Sequence, residues 1–156
     1  MKSGAVVIFD NVKKVADSMT ALVQNTVLVG IPQEKAPRKG EPITNAQLGY
    51  ILEKGAPEAN IPARPHLVPG VKDSQGEWLP RLHDATKASF EGRESGVINN
   101  LKAAGLIAVN AVRMKIQSNI PPPNKPATIA RKGSATTLID TRQYLKAFTY
   151  VLRKGK

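Results

Sequence analysis

The segment IPARPHL at residues 61–67 is the strongest local constraint on what this chain can fold into. Pro62 and Pro65 each fix φ at about −65° and disfavour the α region for the residue that precedes them. Arg64 is therefore held on a stiff, extended backbone. An exposed guanidinium in that position suits recognition of a carboxylate or a backbone carbonyl on a neighbouring subunit. The alternative is a turn that only joins two helices.

A helix is predicted directly before this corner, over residues 45–54. Thr44 is its expected cap, and Gly55 is expected to end it with a positive φ. The exposed side of this helix precedes the corner in sequence, so both elements are expected to contribute to one subunit contact. The candidate residues for a subunit or ring interface are Tyr50, Glu53, Arg64 and His66.

Apolar residues at helical spacing predict three further helices, over residues 11–24, 74–90 and 97–118. Asp10 is the expected cap of the first helix, and Ser74 with Glu77 forms a capping-box pattern at the start of the second. Residues 92–96 contain two glycines and predict either a break or a kink before the third helix.

Two short segments rich in β-branched residues predict a small antiparallel sheet. The first covers residues 26–31 and is stopped by Pro32, and the second covers residues 148–153. The predicted fold class is therefore α+β, with several helices packed on a small antiparallel sheet in a single domain over residues 1–156. Residues 120–137 contain four prolines and predict a long extended loop or arm.

Positive charge is concentrated in the second half of the chain. Residues 1–94 contain 12 Lys or Arg and 11 Asp or Glu, whereas residues 95–156 contain 11 Lys or Arg and Asp140 alone as an acid. This asymmetry indicates an anionic partner, which is either nucleic acid or an acidic protein surface. A solvated basic segment without a partner is the alternative. The candidate contacts to an anionic partner are Lys125, Arg131, Lys132 and Arg142.

Two segments together resemble a known family. The helix, Gly55 and the corner IPARPHL, followed far downstream by LIDT at residues 138–141 and a final strand, resemble small phage tail-completion proteins, also called neck or minor tail proteins. In that family, I-P-A-R-P-F/H-L and a closing L-I-D-T-G-x-L-x-x-S-I-T-Y-x-V recur. The resemblance covers residues 45–70 and 120–152. This chain departs from it at Arg142, where the family has Gly, and at Tyr144, where the family has Leu.

The resemblance implies a virion structural protein at the head–tail junction, which completes the tail for head joining as part of a homo-oligomeric ring. Its partners would be further copies of itself and neighbouring head-connector, tail-tube or terminator proteins, and it would be assembled in the host cytoplasm. We expect the basic half to contact an acidic ring, because many positive charges in the channel would hold DNA too strongly for ejection. Genomic DNA remains a secondary expected partner. The alternatives are a tail terminator that caps the tail tube and a basic nucleic-acid-binding protein.

No arrangement of residues suggests catalysis. The chain contains no cysteine, and His66 and His83 stand 17 positions apart without a neighbouring acid at metal-ligand spacing. We therefore expect no enzymatic activity, no cofactor and no metal. No apolar run approaches the roughly 20 residues that a membrane helix needs, and the apolar stretch near the N-terminus is too short for a signal peptide. We expect no membrane partner.

Overall fold

The computed structural model describes residues 11–155. Seven α-helices and two strands lie within them, together with two short 3-10 turns at Gln33–Lys35 and Pro57–Ala59. In chain order the elements are α1 (Val12–Gln24), β1 (Asn25–Gly30), α2 (Asn45–Lys54), α3 (Leu67–Asp73), α4 (Gln75–Phe90), α5 (Glu94–Gln117), α6 (Pro126–Lys132), α7 (Gln143–Ala147) and β2 (Thr149–Lys154).

The predicted α+β fold class is confirmed. The two strands form an antiparallel sheet in which Val27 lies opposite Leu152 and Leu28 lies opposite Val151. This is the predicted pairing, with each strand shifted by one residue from its expected bounds. The predicted helices over residues 45–54, 74–90 and 97–118 are present within a few residues of their expected ends. The expected cap Asp10 lies outside the described residues, and Asn11 precedes α1.

The core is built around α5, which packs against α1, α3, α4 and both strands. Its apolar residues recur at helical spacing, and the predicted inward positions are all buried: Val97, Leu101, Ala104, Ala108, Val112 and Ile116. Small side chains allow close approach here, since Ala85 and Ala88 on α4 are fully buried against this helix. None of the helices between Asn11 and Gly155 combines the length and the apolar character that crossing a membrane requires.

The connection between α4 and α5 is a break rather than a kink. Gly92 has a φ of 69°, which lies in the left-handed region that glycine adopts without steric cost. A Cβ atom at this position would also lie 3.1 Å from Lys14 Cβ. The turn thereby places the end of α4 beside α1 and lets α5 return along α4.

The predicted capping box at Ser74 is wrong. Ser74 directly follows α3, and its hydroxyl donates to Gly70 O at 2.9 Å instead of accepting an amide at the start of α4. Ser74 is the single residue between α3 and α4, and its side chain hydrogen-bonds to the last turn of α3 instead of capping the first turn of α4. The cap predicted at Thr44 is confirmed, and Gln47 completes a capping box there.

The region from 120 to 137 is more ordered than an arm. It contains α6, which begins with Pro126 and ends before Gly133. The side chain of Asn119 accepts the Thr137 amide at 3.0 Å and closes the base of this loop. Of the two predicted alternatives, an extended loop or an arm, the structure has a loop that contains a short helix. Pro122 ties the loop to the proline corner, because its carbonyl accepts two hydrogen bonds from Arg64.

Candidate interaction site at the proline corner

The proline corner, residues 61–67, is folded back on the end of α2. Gly55 ends that helix with a φ of 80°, and a Cβ atom on it would lie 2.8 Å from Ala63 N. The amide of Arg64 donates to Leu52 O at 2.7 Å. Only glycine accommodates both the positive φ and the close approach of the backbone. The end of α2 and the corner therefore form one rigid unit.

Glu53 caps the helix that follows the corner. One carboxylate oxygen accepts the amides of His66 and Leu67 at 2.8 and 2.9 Å, and the other accepts the Val68 amide at 3.1 Å. These amides open α3 and have no partners within the helix, and a helix N-terminus favours negative charge. Its side chain is 12% exposed. The expectation that Glu53 stands free at an interface is therefore wrong.

These contacts set the protonation of the Glu53 carboxyl. Burial raises its pKa, but the three amide donors and the neighbouring His66 act in the opposite direction and outweigh burial. The net result is a lowered pKa. Glu53 consequently carries its negative charge at neutral pH, where that charge stabilises the start of α3.

His66 lies in the core at 1% exposure, so the prediction that it lines an interface is wrong. Its Nδ1 is 2.8 Å from Arg64 O, which can only accept, so we assign the proton to Nδ1. Its Nε2 then accepts from the hydroxyl of Tyr144. Burial, followed by the charge of Glu53, raises the pKa of Tyr144 and keeps this hydroxyl a donor. The ring of Phe148 meets both rings edge to face.

Arg64 binds a carbonyl of its own chain. Its side chain is 6% exposed, and its Nε and Nη2 lie 3.1 and 2.7 Å from Pro122 O. The expected chemistry, a guanidinium that recognises a backbone carbonyl, is present. The expectation of an exposed group that reaches a neighbour is wrong, because the loop of residues 120–137 folds over the corner and supplies the carbonyl. Arg64 thus joins the corner to this loop.

Arg142 adopts the left-handed conformation, with φ 62° and ψ 3°, directly before α7. Non-glycine residues occupy this region at a cost of about 1–2 kcal/mol. The position is the one at which the resembled tail-completion proteins carry glycine. Arg142 itself is the N-cap of α7, and no side chain in the described part of the chain caps this helix. Asp140 and Thr141, which precede Arg142, therefore do not cap α7.

Replacement of Arg142 by glycine is expected to stabilise the fold by about 0.5–1 kcal/mol. Glycine removes the strain of the left-handed backbone in the folded chain. It also increases the conformational entropy of the unfolded chain, but this loss of stability is smaller than the gain. Arg142→Ala is the matched control, since it removes the same charge and keeps the strain. Denaturant unfolding of both variants measures the difference. Equal stabilities for the two variants would contradict the assignment of strain to this residue.

The remaining candidates fall into two places. Tyr50 is 70% exposed on α2, as predicted, and its role at an interface stays a prediction. Lys125, Arg131 and Lys132 line one cleft of about 910 Å³ between the proline corner and α6. Arg142 is exposed but does not line this cleft. The structure therefore brings together three of the four residues predicted to contact an anionic partner.

Sequence reasoning missed two residues of this region. Arg38, in the loop between β1 and α2, lines the same cleft, although its loop is polar throughout and gives no signal that separates it from Lys35 or Lys39. Tyr144 is the hydrogen-bond partner of His66. The sequence did contain an indication of this role, because Tyr144 places a polar hydroxyl at a position where the resembled family has the apolar residue Leu.

The polar cluster of Glu53, His66 and Tyr144 has a structural role. Every polar side-chain atom of the three is engaged within the chain, and none of the three lines the 910 Å³ cleft. Among residues 11–155, no group of three His, Cys, Asp or Glu side chains could hold a metal ion.

Comparison of the chain with family models, with curated proteins and with solved structures returned no match. The argument for function therefore depends on the residues and contacts described above.

Proposed function

We propose that this chain is a virion structural protein at the head–tail junction of a tailed phage, where it completes the tail as part of a homo-oligomeric ring. The observation that carries the proposal is the contact between the two segments that resemble tail-completion proteins. Arg64 binds Pro122 O, and His66 binds Tyr144, across 58 and 78 positions of the chain. Buried contacts of this kind support the interpretation that both segments belong to one structural unit.

The backbone at Arg142 gives further support. The resembled family has glycine at this position, and the left-handed φ of 62° is a conformation that glycine adopts without strain. Although this chain has Arg where the family has Gly, its backbone has the positive φ that would favour glycine at this position. This agreement concerns the backbone of one residue, whose side chain departs from the family pattern.

The two-stranded sheet provides a surface for ring formation. Leu28 and Val151 lie opposite each other and are 43% and 39% exposed, and they line a shallow depression of about 480 Å³. Within residues 11–155, each strand pairs only with the other, so one edge of each is left open. Open edges are templates for pairing with another chain, and a two-stranded sheet alone is marginally stable.

The open edges belong to different strands, and this determines the type of contact. If β1 of one copy pairs with β2 of the next, the interface is heterologous, because the two surfaces that meet are different. Heterologous contacts generate rings when the rotation between copies closes. A second copy of the chain is therefore the partner that this sheet suits.

The double variant Leu28→Glu with Val151→Lys is expected to remain folded, because its two opposite charges face each other across the strands. It is expected to lose assembly, because charged side chains replace the apolar outer face of the sheet. Light scattering after size-exclusion chromatography measures the oligomeric state at matched concentrations. Met114→Glu is the control, because it places a charge on an exposed apolar residue of a different element, α5. This variant should assemble like the wild type. Unchanged assembly of the double variant would refute the sheet as the ring interface.

The role in the virion is tested by blocking the gene with an amber codon and imaging the lysate by negative-stain electron microscopy. We expect filled heads beside separate tails of normal length, because the tail would lack the ring that joins it to the head. Tails of uncontrolled length would assign the terminator role instead. Infectious particles of ordinary appearance would overturn the proposal, and salt-sensitive nucleic-acid binding would then become the function to test.

A further inference from the structure

The cleft between the proline corner and α6 has the properties of a binding site for an anionic chain. We call it the basic cleft, and its charged lining residues are Arg38, Glu41, Arg64, Lys125, Arg131, Lys132 and Asp140. We infer that the basic cleft binds an extended acidic segment of a different protein. The identification of the partner as a neighbouring virion protein rests on the proposed function. The inference that the site binds an acidic segment rests only on the residues that line it.

The positive groups of the basic cleft act on one another. Burial lowers the pKa of Lys132, Asp140 opposes this effect, and the charges of Arg64 and Arg131 lower the pKa further. The ammonium group of Lys132 is held by the carbonyls of Thr136 and Thr137, each at 3.2 Å. Five cations and two acids thus share a single concave surface. A carboxylate bound among these cations would relieve their mutual repulsion.

Two polar groups on the wall of the cleft have no hydrogen-bond partner among the described residues. They are Arg38 Nε and the hydroxyl of Thr137, and Thr137 is 5% exposed. Both atoms lie beneath the surface of the cleft, so they make its wall polar without contacting an occupant directly.

The uncharged lining favours a peptide as the occupant. Apolar side chains of Leu48, Leu52, Ile61 and Leu138 contribute to the walls, and Pro62, Pro122 and Pro123 add rigid surface. A volume of about 910 Å³ lies at the upper end of the range for ligand pockets, which suits several side chains of an extended segment. The expected ligand therefore alternates carboxylates, which meet the cations, with apolar side chains, which meet the walls.

Nucleic acid fits the same lining less well. Among residues 11–155, no aromatic side chain lines the basic cleft, so bases would have no stacking surface there. Glu41 and Asp140 interrupt the positive surface and would repel a continuous run of phosphates. A peptide can carry an uncharged residue opposite Glu41 or Asp140, whereas a nucleic acid carries a phosphate at every nucleotide.

A second copy of this chain does not supply such a segment. The closest acidic residues in its sequence, Glu91 and Glu94, stand three positions apart, so it contains no alternating run of carboxylates, and its 12 acids are outnumbered by 23 Lys and Arg. Charge complementarity therefore requires an acidic segment from a different chain. The basic cleft and the outer face of the sheet would then serve two different contacts, one to a partner protein and one between copies.

The test uses the full chain and a synthetic extended peptide of about nine residues, in which Glu alternates with Leu around a central Pro. Fluorescence anisotropy at low salt should show binding that weakens as salt is added. The variant Lys125→Glu with Arg131→Glu should weaken binding at least tenfold. Lys87→Glu with Lys102→Glu is the matched control, because it gives the same net charge with exposed helical residues outside the basic cleft and should bind like the wild type.

A peptide with Gln in place of Glu and a single-stranded DNA of about 12 nucleotides complete the design. Equal binding of the Gln peptide, or equal weakening by both charge-reversal pairs, would overturn the inference. DNA binding that exceeds peptide binding and is lost in the cleft variant would instead assign the site to nucleic acid. If the peptide binds as expected but amber lysates contain ordinary infectious particles, the proposed function fails and the acidic-peptide site stands.

Discussion

Replacement of Glu53 by alanine is expected to lower the free energy of unfolding by about 3 kcal/mol, with a fall in melting temperature of about 9 °C for a chain of this size. The carboxylate accepts three backbone amides at the start of α3, from His66, Leu67 and Val68. Without it, these donors lose their partner, and those of His66 and Leu67 are partly or fully shielded from water. Glu53→Gln should cost less, because an amide oxygen still accepts.

The same contact predicts a pH dependence that Glu53→Ala removes. The pKa of the Glu53 carboxyl is lowered in the folded chain, so folding favours the ionised form. Its stabilisation is fully present above the unfolded-state pKa of about 4.3 and is lost as the pH falls through the lower folded-state pKa. Denaturant unfolding at several pH values between 2 and 7 should show a smaller loss of stability on acidification in the variant.

Glu58→Ala is the matched control for both measurements. Glu58 is an exposed acid in the short 3-10 turn Pro57–Ala59, five positions after Glu53. Its replacement should change the free energy of unfolding by less than about 0.5 kcal/mol, as is usual for surface substitutions. If both variants lost equal stability, Glu53 would not act as the cap of α3.

The elements that the sequence predicted well are those whose signal is local. Apolar spacing located α5 and six of its nine buried residues, since the apolar positions of a helix that packs on one side must repeat every three or four residues. Thr44 and Gly55 located the ends of α2, because each acts on the backbone beside it. The strand pairing was predictable because two short β-branched segments leave few alternatives in a chain of this length.

The errors arose where a side chain acts over a long range in sequence. Arg64 was expected to be exposed because its extended backbone is fixed locally, but burial depends on Pro122, which lies 58 positions away. The capping box at Ser74 failed because α3 ends at the preceding residue, and nothing in the sequence predicted that helix. His66 similarly found its partner in Tyr144. No local pattern encodes these contacts.

A single glycine determines how α3, and with it the corner, is held against α5. A Cβ atom on Gly70 would lie 2.8 Å from Val112 Cα and 3.2 Å from Val112 N, both of them backbone atoms in the middle of α5. Backbone in a long, buried helix cannot move as a side chain does, so the two helix axes would have to separate. The amide of Gly70 also donates to His66 O, which ties this position to the corner.

Gly70→Ala is therefore expected to destabilise the fold by about 2–4 kcal/mol, even though alanine is the better helix former. Gly76→Ala is the matched control, because Gly76 also lies in a helix, α4, and a Cβ atom there would meet no described atom within 4 Å. This substitution should be neutral or stabilise the fold by up to about 0.5 kcal/mol. Denaturant unfolding compares the two.

Because displacement of α3 would also shift the corner that holds Arg64, the Gly70 variant should bind the acidic peptide more weakly under conditions in which it remains folded. Stability equal to that of the control would show that α3 and α5 do not approach as closely as 2.8 Å.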